Sequence, residues 1–151
     1  MTHKKSFFIS NELFFKEVKA LLDAKKKVNI NVQGDSMRPF LRNGDKVLLS
    51  RAETKNICRG RVVLAQTLYG IVLHRVVRLE PPKIVLAGDA NAKQLEWVAP
   101  TDVLAVAIAA FRDEKDLKLY SLKKRLVALL WIAVRPFRGY LLGGYYWLNK
   151  K

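Results

Sequence analysis

The chain is poor in the residues that build disulfides and metal sites. Cys58 is the only cysteine, so no intramolecular disulfide can form and a reducing compartment is tolerated; the thiol is read as inert. Two histidines, His3 and His74, are too few for a histidine-rich metal site, and no metal or other cofactor is expected. Long apolar stretches are also scarce where targeting would need them. The first residues carry Lys4 and Lys5 but only a three-residue apolar run, Phe7 to Ile9, against the about 7–15 residues of a secretory signal. No signal peptide is expected, and the expected location is cytoplasmic. Nine apolar residues run unbroken from Leu126 to Val134, well short of the roughly 20 that cross a bilayer as a helix. Arg135-Pro136 then stops the run, and Gly139, Gly143 and Gly144 argue against one long continuous helix.

Negative charge is missing from one end. Between Leu117 and Lys151 there are eight basic residues and no acidic one, whereas the other 116 residues hold 20 basic and 13 acidic. Seven of the 15 aromatic residues lie in the same tail: Tyr120, Trp131, Phe137, Tyr140, Tyr145, Tyr146 and Trp147. Over 151 residues the formal charge is +15, which calls for an anionic partner, either nucleic acid or an acidic membrane surface. Cations mixed with Trp and Tyr suit a membrane interface. The tail is therefore expected to attach the protein peripherally to an anionic membrane, the alternative being a helix packed on the domain.

The length suffices for one domain with a real core. Ser10 or Asn11 is expected to cap a helix in which Phe14, Val18, Leu21 and Leu22 form one apolar face and Lys25–Lys27 fill the last turn. Val28-Asn29-Ile30-Asn31-Val32 alternates as a half-buried strand does. Lys46–Leu49, Arg61–Ala65, Ile71–Val77, Ile84–Ala87 and Val103–Ala109 also read as strands, separated by Gly, Pro and Asn turns. The expectation is a mostly-β fold: an N-terminal helix in residues 1–27, a compact β domain in 28–116 and a basic, aromatic helical tail in 117–151.

Three short segments carry candidate chemistry. The first is Gln33-Gly34-Asp35-Ser36-Met37-Arg38-Pro39, followed by Asn43-Gly44-Asp45 at the start of a strand. Gly34 lets the chain turn sharply and Pro39 fixes its exit direction. The second is Leu73-His74-Arg75-Val76-Val77, and the third is Gly88-Asp89-Ala90-Asn91. Taken alone, Ser36 reads as a turn serine, His74 as a buried strand histidine, and Asp35, Asp45 and Asp89 as turn formers.

In order and spacing the three segments resemble the boxes of type I signal peptidases and the self-cleaving, LexA-like repressors, over residues 28–109. The resemblance implies a compact signal-peptidase-like β domain with Ser36 as nucleophile. Gly34, Met37, Pro39, Gly88 and Asn91 would shape the site and its oxyanion contacts. Histidine at position 74, where bacterial signal peptidases usually carry lysine, places the chain on the Ser-His branch. A serine hydroxyl needs a base to become nucleophilic, and imidazole titrates near neutrality, so the roles are chemically matched. Asp89 is the candidate for the acid that orients His74.

Departures from the pattern are specific. The family acid usually lies about five residues beyond the Gly-Asp pair, where this chain has Gln94 and Leu95. Asp89 or Glu96 would have to substitute, or the site works as a dyad. Gly34 stands where a serine often donates to the oxyanion, and the family's usual N-terminal membrane span is not expected here, the basic aromatic tail being the candidate anchor. The expected function is a serine endopeptidase that cuts an extended precursor or leader peptide, with small residues at the first and third positions before the cut. The alternatives are a peptide-binding module of the same fold and, ranked below it, a nucleic-acid-binding regulator, since one N-terminal helix is too little for a helix-turn-helix.

Overall fold

In the computed structural model, residues 3–148 are described, with side chains from residue 12 onward. Helix α1 spans His3–Asp23 and thus starts well before the Ser10 or Asn11 cap expected from the sequence. Both residue types cost under about 1 kcal/mol in a helix interior, so neither is enough to begin one. Val18 and Leu22, one turn apart, are buried in the core, while Phe14 and Leu21 stay partly exposed. The helix ends where Lys25 takes a left-handed conformation (φ 59°). There the N–H of Lys26 donates to Leu21 O and that of Lys25 to Leu22 O, both at 2.9 Å, a Schellman closure. Lys25–Lys27 accordingly lie beyond the helix rather than in its last turn.

Among the described residues eight antiparallel strands follow: β1 (Val28–Asn31), β2 (Lys46–Arg51), β3 (Val62–Thr67), β4 (Gly70–Glu80), β5 (Lys83–Ala87), β6 (Glu96–Val98), β7 (Val103–Arg112) and β8 (Lys115–Asp116). They form one curled sheet in the order β1-β2-β7-β3-β4-β5-β6, with β8 on β7. The six expected strands are present; β6 and β8, of three and two residues, are too short to leave a periodic signature. On β3 every residue from Val62 to Ala65 is buried. Val62 and Leu64 join the core beneath α1, while Val63 and Ala65 join a second cluster with Val76, Leu86 and Val106. The sheet thus folds over itself and buries both faces of its central strand. Register shifts at Leu48/Leu49, Leu64/Ala65 and Val76/Arg78 supply the bends.

The described part of the tail forms two short helices. Ser121 caps α2 (Leu122–Ala133), its Oγ accepting the Lys124 N–H. A 3₁₀ turn at Arg135–Phe137 leads into α3 (Arg138–Leu148), and the two arms are bent by 70°. Pro136, which has no N–H to donate, sits at the break; the three tail glycines lie inside α3. Among the described residues no single helix is long and apolar enough to cross a membrane. One side of the pair packs on the β domain through Ala128, Ile132, Arg138 and Leu142.

Candidate active site

Ser36 stands on a loop that leaves β1 and returns into β2. The loop is closed at its base by Val32 N–H to Asp45 O (2.8 Å) and Gly44 N–H to Val32 O (2.9 Å). Asp45 locks the closure: its carboxylate accepts the Arg42 N–H at 2.8 Å and two bonds from Arg112 on β7, at 2.8 and 2.7 Å. Gly34 takes φ 80°, a left-handed conformation that side chains disfavour, and donates to Asn43 Oδ1. Met37 points into the core at 1% exposure and anchors the loop there, with Leu41 N–H donating back to Met37 O. Ser36, next to this anchor, stays exposed. Pro39 follows, partly buried.

His74 lies on β4, opposite Val63 of β3, and is nearly buried. Its Nδ1 is 2.7 Å from Oε2 of Glu96 on β6. A carboxylate only accepts, so Nδ1 carries the proton in this pair and Nε2 of the neutral ring is the free base. Glu96 is held from behind by Gln94, whose Nε2 donates to Oε1 at 3.3 Å; Gln94 Oε1 in turn accepts from Asn91 Nδ2 at 3.0 Å. Asn91 therefore reaches the histidine only through two intermediaries.

Asp89 does not orient His74. Its carboxylate takes three bonds from Arg75, from Nε at 2.8 and 3.1 Å and from Nη2 at 2.7 Å, while Arg75 Nη1 donates to Gly60 O. Both partners are buried, and a buried guanidinium needs its fork filled. Adjacent residues on a strand point to opposite faces, so His74 and Arg75 draw separate acids: Glu96 to one, Asp89 to the other. Glu96 lies inward, alternating with buried Val98 across exposed Trp97, a placement set by the folded strand that three residues are too few to signal in the sequence.

Gly88 is where the pieces meet. A Cβ on Gly88 would lie 2.7 Å from Ser36 O, 3.2 Å from His74 Nε2 and 3.3 Å from Ser36 Cβ. The nucleophile candidate and the free imidazole nitrogen thus flank one small space that only glycine leaves open. Two bonds hold this turn in place, Ala90 N–H to Ser36 O at 2.8 Å and Asn91 N–H to Gly88 O at 3.0 Å.

A cleft of about 590 Å³ opens beside these residues. Asn29–Gln33 line it from β1 and the segment after it, Ile71–His74 from β4, and Phe14 and Phe15 from α1. Among the described residues β1 pairs only with β2, and Gly70–His74 pair only with β3. Two strand edges are therefore free along the cleft.

The tail reaches the site from behind. Trp131 Nε1 donates to Asp89 O at 2.9 Å, and its ring meets Phe40 edge-on, 6.0 Å between centroids. Phe40 also lies beneath the Arg75 guanidinium, 4.8 Å away. Arg138, fully buried, donates to Trp131 O and to the carbonyls of Gly88, Asp89 and Asn91. Burial pushes its guanidinium down to about 10, still cationic near neutrality. Arg135 adds a 2.6 Å bond to Gln94 O.

No curated protein matches the sequence. A family model described as Peptidase S24-like matches residues 4–107. That span contains α1, the Ser36 loop, His74, the Gly88 turn and Glu96, and it stops within β7, before the tail. Covering more than half of the sequence, and agreeing with the curled antiparallel sheet, this match establishes that the chain belongs to the Peptidase S24-like family, within the superfamily of signal-peptidase-like and LexA-like serine peptidases.

Proposed function

We propose that the protein is a serine endopeptidase working through Ser36, His74 and Glu96. The observation that carries this reading is the His74–Glu96 pair at 2.7 Å, with His74 Nε2 turned to the space over Gly88 that Ser36 also borders. Ser36 Oγ attacks the scissile carbonyl while Nε2 takes the hydroxyl proton; the imidazolium is stabilised by Glu96 through Nδ1–H. The same proton passes to the leaving amine, and water then releases the acyl group by the reverse exchange. The Ser36 backbone N–H serves as an oxyanion donor. An extended peptide adds between the free edges of β1 and β4, so that backbone bonds give affinity and alternate side chains give specificity. Small residues before the cut fit this reading.

The decisive test is labelling with a fluorophosphonate probe. Wild type should react and Ser36→Ala should not; equal labelling of the two, or none of either, would sink the mechanism.

We place the reaction at an anionic membrane surface. Support comes from the outward side of the tail, where Leu122, Leu126, Leu130, Phe137, Tyr140, Trp147 and Leu148 are between 63% and 85% exposed beside Lys123, Lys124 and Arg125. Apolar burial plus basic charge supplies the two signals that stable peripheral attachment needs. Flotation with vesicles containing or lacking phosphatidylserine tests this. Full-length protein should float with the anionic vesicles, and Leu126→Glu/Leu130→Glu should not; equal behaviour of the two proteins counts against the tail.

A further inference from the structure

The inward side of the tail suggests a second role, one that rests on the peptidase reading. The residues matched by the family model end at 107, yet two loops inside that span are joined by side chains outside it. Trp131 touches both loops at once, donating to Asp89 O in the Gly88 turn and packing its ring edge-on against Phe40, four residues after Ser36. Arg138 fixes Trp131 through its carbonyl, with Nε at 3.1 Å and Nη2 at 2.8 Å, and its guanidinium lies 5.3 Å from the indole centroid. Its remaining nitrogen, Nη1, spans the carbonyls of Gly88, Asp89 and Asn91 at 3.4–3.5 Å.

We infer that Arg138 and Trp131 are positioning residues for the hydrolysis, clamping the Ser36 loop and the Gly88 turn together so that the nucleophile meets its base. The physical reason lies in the carbonyls they hold. Gly88 and Asn91 bracket the turn that faces Ser36 and His74, and of the two backbone bonds that hold it, Asn91 N–H to Gly88 O closes the turn on itself while Ala90 N–H to Ser36 O reaches the Ser36 loop. The short bonds of Arg138, at 2.8 and 3.1 Å, go to Trp131 O, and the three turn carbonyls at 3.4–3.5 Å are drawn in by the buried cation's attraction for carbonyl dipoles. A planar fork reaches several carbonyls together, which an ammonium cannot do in the same geometry. Displacement of a reacting group by about 1 Å can lower turnover about 10²-fold.

Arg138→Lys and the milder Trp131→Phe, made in the full chain, test the clamp. Three quantities are read on each: kcat and KM for a cleaved peptide, the number of competent sites titrated with the fluorophosphonate, and amide hydrogen exchange in the peptide containing Ala90. Both variants should lose at least about tenfold in kcat per titrated site, with KM within about twofold, and should exchange faster around Ala90. Trp131→Phe keeps an aromatic ring and so guards against a variant that merely fails to fold. Unchanged kcat per titrated site would overturn the inference, because loss of folded protein alone lowers the site count and not the turnover of each site. Unchanged exchange around Ala90 would also overturn it. If wild type neither cleaves nor labels, the peptidase reading fails, and with it any role in hydrolysis; faster exchange would then leave only a structural clamp.

Discussion

Nδ1 of His74 lies 2.7 Å from Oε2 of Glu96, across two strands that do not pair with each other: β5 runs between β4 and β6. The pair therefore depends on the stacking of three strands in register. Leu86 faces Glu96 on one side of β5 and Val76 on the other, so the acid reaches over a strand to meet the base. Both groups are nearly buried, which excludes competing water and strengthens the bond.

Removal of either end of the proton path should stop the reaction. Ser36→Ala is expected to lower kcat/KM by at least about a thousandfold, and His74→Ala nearly as far. The double variant should be no worse than the worse single one, because the two act as a unit. Circular dichroism should remain that of the folded protein for Ser36→Ala, since the serine is on an exposed loop. Additive losses in the double variant would show that the two residues do not share a step.

Glu96→Gln and Asp89→Asn should separate chemistry from architecture. Glutamine at 96 can present the wrong partner to Nδ1, and turnover should drop by about 10²–10⁴-fold. Asparagine at 89 leaves the Arg75 cation buried without its counter-charge, an effect of up to about 3–5 kcal/mol on stability. The expected result for Asp89→Asn is a lower unfolding midpoint with turnover per titrated site kept much closer to wild type. The opposite ranking would return the orienting role to Asp89.

Gly88→Ala is expected to inactivate with little loss of folded protein. The added methyl would meet a backbone oxygen, Ser36 O, at 2.7 Å, and no side-chain rotation relieves that contact. The Ser36 loop or the Gly88 turn must move, opening the space where Ser36 and His74 face each other. Probe labelling at wild-type rate in Gly88→Ala would mean that the two loops need not touch for reactivity.

Acid should destabilise the Ser36 loop through Asp45. Burial acts to raise this carboxyl, but the Arg112 hydrogen bonds and the Arg42 N–H outweigh it and hold the group below its ordinary value. With the folded value below the unfolded one of roughly 4, the unfolded chain binds more protons. The stabilisation is then complete above that pH and declines as pH falls through the folded value. Thermal unfolding followed from pH 7 to 2 should show a shallower acid loss for Asp45→Asn than for wild type. Parallel curves would remove Asp45 from the acid response.

Much of this protein is written locally. Alternation from Val28 to Val32, the turn residues and the apolar runs each act over a few neighbours, and so six strands were legible without coordinates. The Ser36, His74 and Gly88 segments were legible for a similar reason, since each is a short pattern whose order along the chain suggests one shared site. Which acid meets His74 could not be settled that way. Asp89 and Glu96 are both near in sequence, and only the pleat of β4, which sends His74 and Arg75 to opposite faces, divides the acids between them. The tail was ambiguous for another reason: a basic, aromatic, apolar segment suits a lipid surface and a protein surface equally well by composition. Tertiary structure gave its inner side to the β domain, because buried Arg138 finds the carbonyls of Gly88, Asp89 and Asn91, about fifty residues earlier in the sequence, only when the chain has folded.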